Sequence, residues 1–374
     1  MKLRISVVMV LLCLLMGGCS WLDGTYHSIT PHQEQSGSIR TENLTISTYQ
    51  ELISTMEDIV SKGTESCVIS AVNYDPEQLE SNLRTAAWKI QHVYPVGAYA
   101  VDSLNYEIGT GTGKTAIALN ITYRHSRTEI RKIKKVWENQ RVSEIIGEAM
   151  EDYETVLVLE MQQYEQLDFT QIVQDYAMEH PQNVMEIPNV TSEVYGVGQS
   201  RMVELTFSYQ TSRDALRTMQ HQVQPVFDSA ILYVSGEGSQ GQKFSQLYGF
   251  LMERFDYIVE TSITPAYSLL RHGVGDSRAF ATVYAAMCRA SELDCVVVTG
   301  TRSGEPWTWN IICEDGVYSH VDLLRCNENG RFQQHTDEQM VGYVWDYSAY
   351  PACVSREGAE EPAAETQEME ETKN

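Results

Sequence analysis

His320 and Asp322 stand two residues apart in Tyr318-Ser-His-Val-Asp322, and on an extended strand that spacing turns both side chains to one face. An imidazole beside a carboxylate is the base half of an acyl-transfer site. The ring takes a proton from a nucleophile, and the carboxylate fixes the ring's tautomer. Trp307 and Trp309 share the same spacing slightly earlier. A strand would present both indoles to one side, as an apolar platform for a peptide or a sugar face, or as filling for a cavity. Gly109-Thr-Gly111-Thr-Gly113-Lys114-Thr115 carries the glycines and lysine of a phosphate cradle. That cradle needs a glycine five residues before its Gly-Lys pair, where Ile108 stands. The segment also lies between two alternating stretches, so it reads as a hairpin turn. No CxxC or HExxH pair points to a metal, and no cofactor is called for.

The chain that must position these groups has 374 residues, 43% of them apolar, and 27 Lys and Arg against 51 Asp and Glu give a net charge of −24. The length suits two or three domains, each with its own core. A chain this acidic has no basic stripe to neutralise phosphates, which excludes nucleic acid as a partner. Eight cysteines in this length do not make a disulfide scaffold.

Residues 1–18 read as an export signal. Lys2 and Arg4 form a short positive region, and Ile5 to Met16 is an apolar run too short to span a bilayer comfortably. Gly17-Gly18 before Cys19 resembles a bacterial lipobox, with Met16 as a mild departure. That resemblance implies an acylated Cys19, anchored to the bacterial cell membrane by chains worth ~0.8 kcal/mol per buried CH₂, and an extracytoplasmic protein. Residues 19–45 are polar and read as a tether. Residues 354–374, with seven glutamates from Arg356 onward, read as an acidic, disordered tail.

Between these ends, residues 46–140 and 141–230 read as two βαββ-type modules, each led by a helix. Tyr123-Arg-His-Ser126-Arg127 recurs as Tyr209-Gln-Thr-Ser212-Arg213, an offset of 86 residues. Each copy begins with an apolar run, Cys67–Val72 and Thr155–Leu159. A helical stretch follows, Pro76–Ile90 and Phe169–Glu179. Two alternating strands close each copy, Ser103–Ile108 with Ala116–Tyr123, and Ser192–Val197 with Met202–Tyr209. Ser126 and Ser212 stand where N-caps would start the next helices. The basic run Arg127–Lys135 has helical spacing and reads as a solvated helix face.

Residues 231–353 resemble a bacterial transglutaminase-like domain, a papain-type fold with a cysteine nucleophile. Gly273-Val-Gly-Asp-Ser277-Arg-Ala-Phe280-Ala281 stands where the family has its Gly-Val-Cys, three residues and Ala. Asp294 to Gly300 matches its next strand and glycine. Trp307-Thr-Trp309-Asn310 stands for its His-Ala-Trp-Asn, and Asp322 for its Asp. The resemblance implies an α+β fold and a Cys at a helix N-terminus, where the dipole favours the thiolate, served by a His and an Asp. Those positions hold Ser277, Trp307 and Asp322. A serine hydroxyl depends on a base more than a thiol does, and an indole has a donor but no basic nitrogen. The implied site is degenerate. Cys288 offers no rescue, lying about 16 Å farther along a helix. His320 is the alternative base.

Three functional readings follow. In the first, a lipoprotein's non-catalytic domain binds a peptide, cell-wall fragment or protein partner at Trp307 and Trp309. In the second, Ser277 works with His320 and Asp322 as a serine hydrolase or acyltransferase. A scaffold made by the paired modules is a third. Export would permit disulfides among Cys67, Cys288, Cys295, Cys313, Cys326 and Cys353. The spacing does not fix their connectivity, though a Cys326–Cys353 bridge would staple the final strands.

Overall fold

Local capping sets most helix starts in this chain. Thr48 and Glu51 form a reciprocal box at the head of α1 (Tyr49–Ser61), and the Asp75 carboxylate takes two amides opening α2 (Pro76–His92). The computed structural model describes residues 44–355 apart from 112, 113 and 235. Cys19, the signal, nearly all of the tether and most of the acidic tail lie outside the described residues.

Strands β1 (Leu44–Ile46), β2 (Ser66–Ala71), β3 (Val101–Gly111) and β4 (Lys114–Tyr123) form a sheet ordered β1-β2-β4-β3. One face is buried under α1, α2 and α3 (Pro95–Ala100), with Leu52, Leu79, Leu83, Ile69, Ile117 and Leu119 at its centre. Each such side chain contributes ~1.5–3 kcal/mol by leaving water. Gly111 pairs with Lys114 across the β3–β4 hairpin. The glycine-rich stretch is therefore a strand-to-strand turn, with no helix to receive a phosphate.

Ser126 caps the short helix α4 (Arg127–Arg131). The basic run does not continue as a helix to Lys135. It turns into strand β5 (Lys134–Val136), which pairs in parallel with β6 (Val156–Met161), because Val136 buries in the second core. This strand, counted with the first module on sequence, thus joins the second sheet. That sheet runs β5-β6-β8-β7, with β7 (Asn189–Tyr195) and β8 (Arg201–Ser208), and carries α5 (Gln140–Glu151) and α6 (Phe169–Glu179). The first sheet likewise gains a leading strand, at Leu44.

Helices α1 and α5 end alike. Gly63 and Tyr153 take φ of 62° and 51°, and each donates to the second-last helical carbonyl while the next residue donates to the carbonyl one residue before it. This is the left-handed stop that glycine accepts freely and tyrosine adopts at a cost. Val158 and Met202 cross from the second sheet into the first core.

Ser212 caps α7 (Arg213–Tyr233), and Ser239 with Gln242 boxes α8 (Gln240–Met252). Strands β9 (Asp256–Tyr257) and β10 (Val274–Gly275) pair in parallel just ahead of α9 (Ser277–Ala290). The last sheet is antiparallel, ordered β13-β12-β11-β14, from β11 (Cys295–Arg302), β12 (Glu305–Glu314), β13 (Val317–Val321) and β14 (Tyr343–Val344). Helix α9 covers one face, packing Val283 and Met287 with Ile312 and Val321. Val298, Trp309, Ile311, Tyr343 and Trp345 form a smaller core on the other. Residues 141–230 pack on the last domain through Tyr153 and Met185, which bury in its core; within the module the Tyr153 hydroxyl donates to the Asn183 carbonyl at 2.9 Å and accepts from the Met185 amide at 3.3 Å. Arg289 of α9 donates to the Glu179 carbonyl at the end of α6. No helix among the described residues is long and apolar enough to cross a membrane.

Candidate active site

The chain reaches Ser277 through two glycines. Gly273 holds φ of 82° after a π-turn, and at Gly275 an added Cβ would meet the Ala279 and Leu269 side chains. That tight approach pairs Val274 and Gly275 with Asp256 and Tyr257. Asp276 then caps α9, accepting the Ala279 amide at 2.9 Å, and Ser277 occupies the first helical position. Ser277 is buried, and its Oγ accepts the Thr308 amide of β12 at 3.3 Å.

Beside that contact stands Trp307, opposite Gly300 of β11. Its Nε1–H donates to Asp322 Oδ2 at 2.9 Å. Tyr257 lies against the indole, centroid to centroid 5.7 Å, and the Arg302 guanidinium sits 5.1 Å from the ring centre. Asp322 is 3% exposed and caps α10 (Leu323–Glu328). Its Oδ1 takes the Leu324 and Arg325 amides at 3.1 and 3.2 Å, while Oδ2 also takes the Tyr343 hydroxyl at 2.6 Å. Arg302 approaches Oδ2 at 3.8 Å and pairs with Glu328 at 2.7 Å. The Glu328 bond holds the guanidinium charged, and burial beside Asp322 pushes the Tyr343 phenol upward.

Ser277, Trp307 and Asp322 are therefore gathered at one place, and the hydrogen bond expected of a His–Asp pair is made by an indole. The chemistry differs. Every donor around Asp322 serves a carboxylate that is already satisfied, and the indole cannot take a proton from Ser277.

The other candidates are placed elsewhere. His320 does not share a face with the Asp322 side chain, because strand β13 ends at Val321 and Asp322 turns away to cap α10. Its ring is fully buried in the smaller core, with Nδ1 accepting the Trp309 indole N–H at 2.9 Å and Nε2 2.8 Å from Asp337. Both nitrogens are in use, and His320 does not serve Ser277. Trp309 is 1% exposed and packs on Tyr343 and Trp345, so it belongs to the core and not to a platform. The aromatic neighbour of Trp307 toward solvent is Tyr257, which is 41% exposed.

Cys288 is buried deep in α9. Cys326 and Cys353 are free thiols, as are the other described cysteines. Cys326 accepts the Gln333 amide at 3.3 Å, whereas Cys353 lies along Asp337, so the final strands are not stapled by a bridge. Tyr257, Arg302 and Tyr343 were not found from sequence. Tyr257 and Tyr343 lie far from the motifs along the chain and are brought in by the β9–β10 and β11–β14 pairings, whereas Arg302 lies beside the motifs on the β11–β12 hairpin and carries no sequence mark of its role.

Comparison with known proteins agrees with this geometry. Residues 230–354 match the transglutaminase-like superfamily. No curated protein matches the chain. Among solved structures, a TGase is similar at 9% identity and a TM-score of 0.26, covering 51% of this chain and 58% of that one. A "putative cysteine protease" from Cytophaga hutchinsonii is 13% identical, with a TM-score of 0.26, 39% of this chain and 65% of that one covered. A "putative protease" from Parabacteroides distasonis is 10% identical, with a TM-score of 0.23 and 68% and 40% covered. The chain spans less than two thirds of each, and at these scores the likenesses transfer neither substrate nor mechanism.

Proposed function

We propose that the transglutaminase-like domain is a non-catalytic binding module that holds a peptide, whether free, in a cell-wall fragment or in a protein partner, at the Trp307–Tyr257 surface. One observation carries this reading: the Trp307 indole, a donor without a basic nitrogen, hydrogen-bonds Asp322 at 2.9 Å where a catalytic imidazole would be required. Ser277 is then an ordinary alcohol next to an amide. Two tilted aromatic rings with the Arg302 cation over the indole suit a peptide's planar amides and side chains. A serine hydrolase or acyltransferase using His320 has no support in the arrangement of that ring. We further propose that Cys19 is acylated and fixes the protein to the outer side of the bacterial membrane, with residues 19–45 as tether.

The test incubates the full chain, in detergent, with a Gln-containing peptide library and an amine. Deamidation, transamidation and cleavage are followed by mass spectrometry, and peptide affinity is measured in parallel. The expected result is no turnover, with binding weakened at least ~10-fold in Trp307→Ala. Turnover abolished by Ser277→Ala would overturn the reading.

A further inference from the structure

The charged groups around Trp307 and Tyr257 differ in how well they are met. Asp322 accepts from Trp307, Leu324, Arg325 and Tyr343. Both terminal nitrogens of Arg302 donate to Glu328, at 3.3 and 2.7 Å, while its guanidinium covers the Trp307 indole. The charges of these three groups are answered within the site. Asp276 is the exception.

Asp276 is 9% exposed. Its Oδ1 accepts the Ala279 amide at 2.9 Å, and its Oδ2 has no hydrogen-bond or ion-pair partner among the described residues. A carboxylate this far buried ordinarily finds a counter-charge or several donors. The strands that carry the two aromatic residues run on either side of it. Gly275, just before Asp276, pairs with Tyr257, and the Ile258 amide donates to the Gly275 carbonyl at 2.9 Å. Ser277, just after it, accepts the amide of Thr308, the neighbour of Trp307. The family resemblance sets a valine at this position, so the carboxylate belongs to this chain and not to the site it resembles.

The surrounding charges leave Asp276 without a counter-ion. Burial raises the Tyr257 phenol, and of the charges acting on it Asp276 is the strongest, ahead of Arg302, Asp322 and Glu328. Arg302, the cation of that set, lies 2.7 Å from Glu328 and 3.8 Å from Asp322. It is spent on those two carboxylates. A cation brought by a ligand would therefore find one open carboxylate oxygen and one open aromatic ring, that of Tyr257.

We infer that Asp276 sets the specificity of this surface and selects a peptide with a basic side chain, whose ammonium or guanidinium group reaches Oδ2 while its stem lies on the Tyr257 ring. The inference rests on the binding reading above and names the ligand chemistry that reading leaves open. A cation gains from both the aromatic face and the carboxylate oxygen, whereas a neutral amide of the same length gains only a weaker hydrogen bond. An acidic side chain would bring a second negative charge to a poorly hydrated oxygen and is disfavoured.

The test uses the full chain in detergent and capped Gly-Ala peptides that differ at one central residue, Gln, citrulline, Lys, Arg or Glu, with affinity read by calorimetry. The Lys and Arg peptides should bind at least ~10-fold tighter than the Gln and citrulline peptides, as one charge-assisted bond requires, and the Glu peptide should bind weakest. In Asp276→Asn the side-chain oxygen still caps α9, and the preference for Lys and Arg should shrink to within ~2-fold. Asp276→Ser, which also caps, gives the same readout should the Asn variant not fold. The whole chain is acidic, at −24, so Glu138→Gln, at an exposed position between β5 and α5, controls for general attraction and should leave the preference intact. An equal loss in Glu138→Gln, a preference that survives in Asp276→Asn, or binding indifferent to charge would each overturn the inference and leave the binding reading standing. Failure of every peptide to bind would instead refute the binding reading, and this inference would fall with it.

Discussion

Trp307→Phe isolates the bond on which the site turns. It keeps an aromatic ring against Tyr257 and Arg302 and deletes only the N–H given to Asp322. Hydrogen bonds to charged groups are worth ~1.5–3 kcal/mol. Asp322 keeps three other donors, from Leu324, Arg325 and Tyr343, so the loss should sit low in that range, at about 2 kcal/mol once the smaller ring is included. Spread over a domain of the length matched by residues 230–354, this corresponds to a fall in Tm of ~6–8 °C. Tyr343→Phe should cost a similar amount. The two donors share one oxygen, Oδ2, so the double variant strands it with only Arg302 at 3.8 Å. It should exceed the sum of the single changes by ~1 kcal/mol. Urea unfolding followed by Trp309 and Trp345 fluorescence reads all three, because both indoles remain in the core. A change below ~0.5 kcal/mol in Trp307→Phe, or strict additivity, would show that the carboxylate does not lean on the indole.

Restoring a base should restore reactivity. Ser277→Cys alone should alkylate slowly with iodoacetamide, whereas Ser277→Cys with Trp307→His should react at least ~10-fold faster, with a midpoint below the ordinary thiol value, as read from adducts on the α9 peptide. Tyr153→Phe should destabilise the second module by ~1–3 kcal/mol, since its hydroxyl satisfies both Asn183 and Met185 of that same module; urea midpoints report it. Burial and the nearby Glu160 raise the pKa of Glu57, so the folded chain holds that proton more tightly. Its contribution is best below the ordinary value of 4.5 and is lost as pH rises through the folded pKa. Glu57→Gln should therefore stabilise the fold at neutral pH and leave it unchanged well below 4.5, as read from urea midpoints at the two pH values.

The motifs around Ser277, Trp307 and Asp322 were legible because local rules write them: a glycine pair, a cap, an alternating strand. The modules' strands and the N-caps at Ser126 and Ser212 were legible for the same reason. The faces of Trp309 and His320 were not. Strand alternation puts Trp307 and Trp309 on one side, but only β14 and the segment beyond Asp337 decide that Trp309 is roofed over and Trp307 is not. His320 and Asp322 part company because a helix cap intervenes at Asp322, and capping outranks alternation once a strand has ended. Lys134–Val136 misled for a related reason. Four basic residues in a short run look like a solvated helix, yet one buried valine is enough to recruit the segment into a sheet.

The groups around Ser277 and Trp307 are already committed to structural hydrogen bonds. Asp276 stands where the family resemblance sets a valine, and its carboxylate takes the Ala279 amide. It thereby occupies the helix dipole that would have stabilised a thiolate at the next residue. A cysteine placed at 277 alone would meet that negative charge and a spent helix N-terminus. Asp322 likewise caps α10 and anchors Tyr343. Each polar group at these positions satisfies a structural donor, so a single substitution would introduce a residue without its environment. On the non-catalytic reading proposed above, the whole hydrogen-bond arrangement withholds reactivity from Ser277. For that reason the cysteine and histidine must be reinstated together before any gain in thiol reactivity is expected.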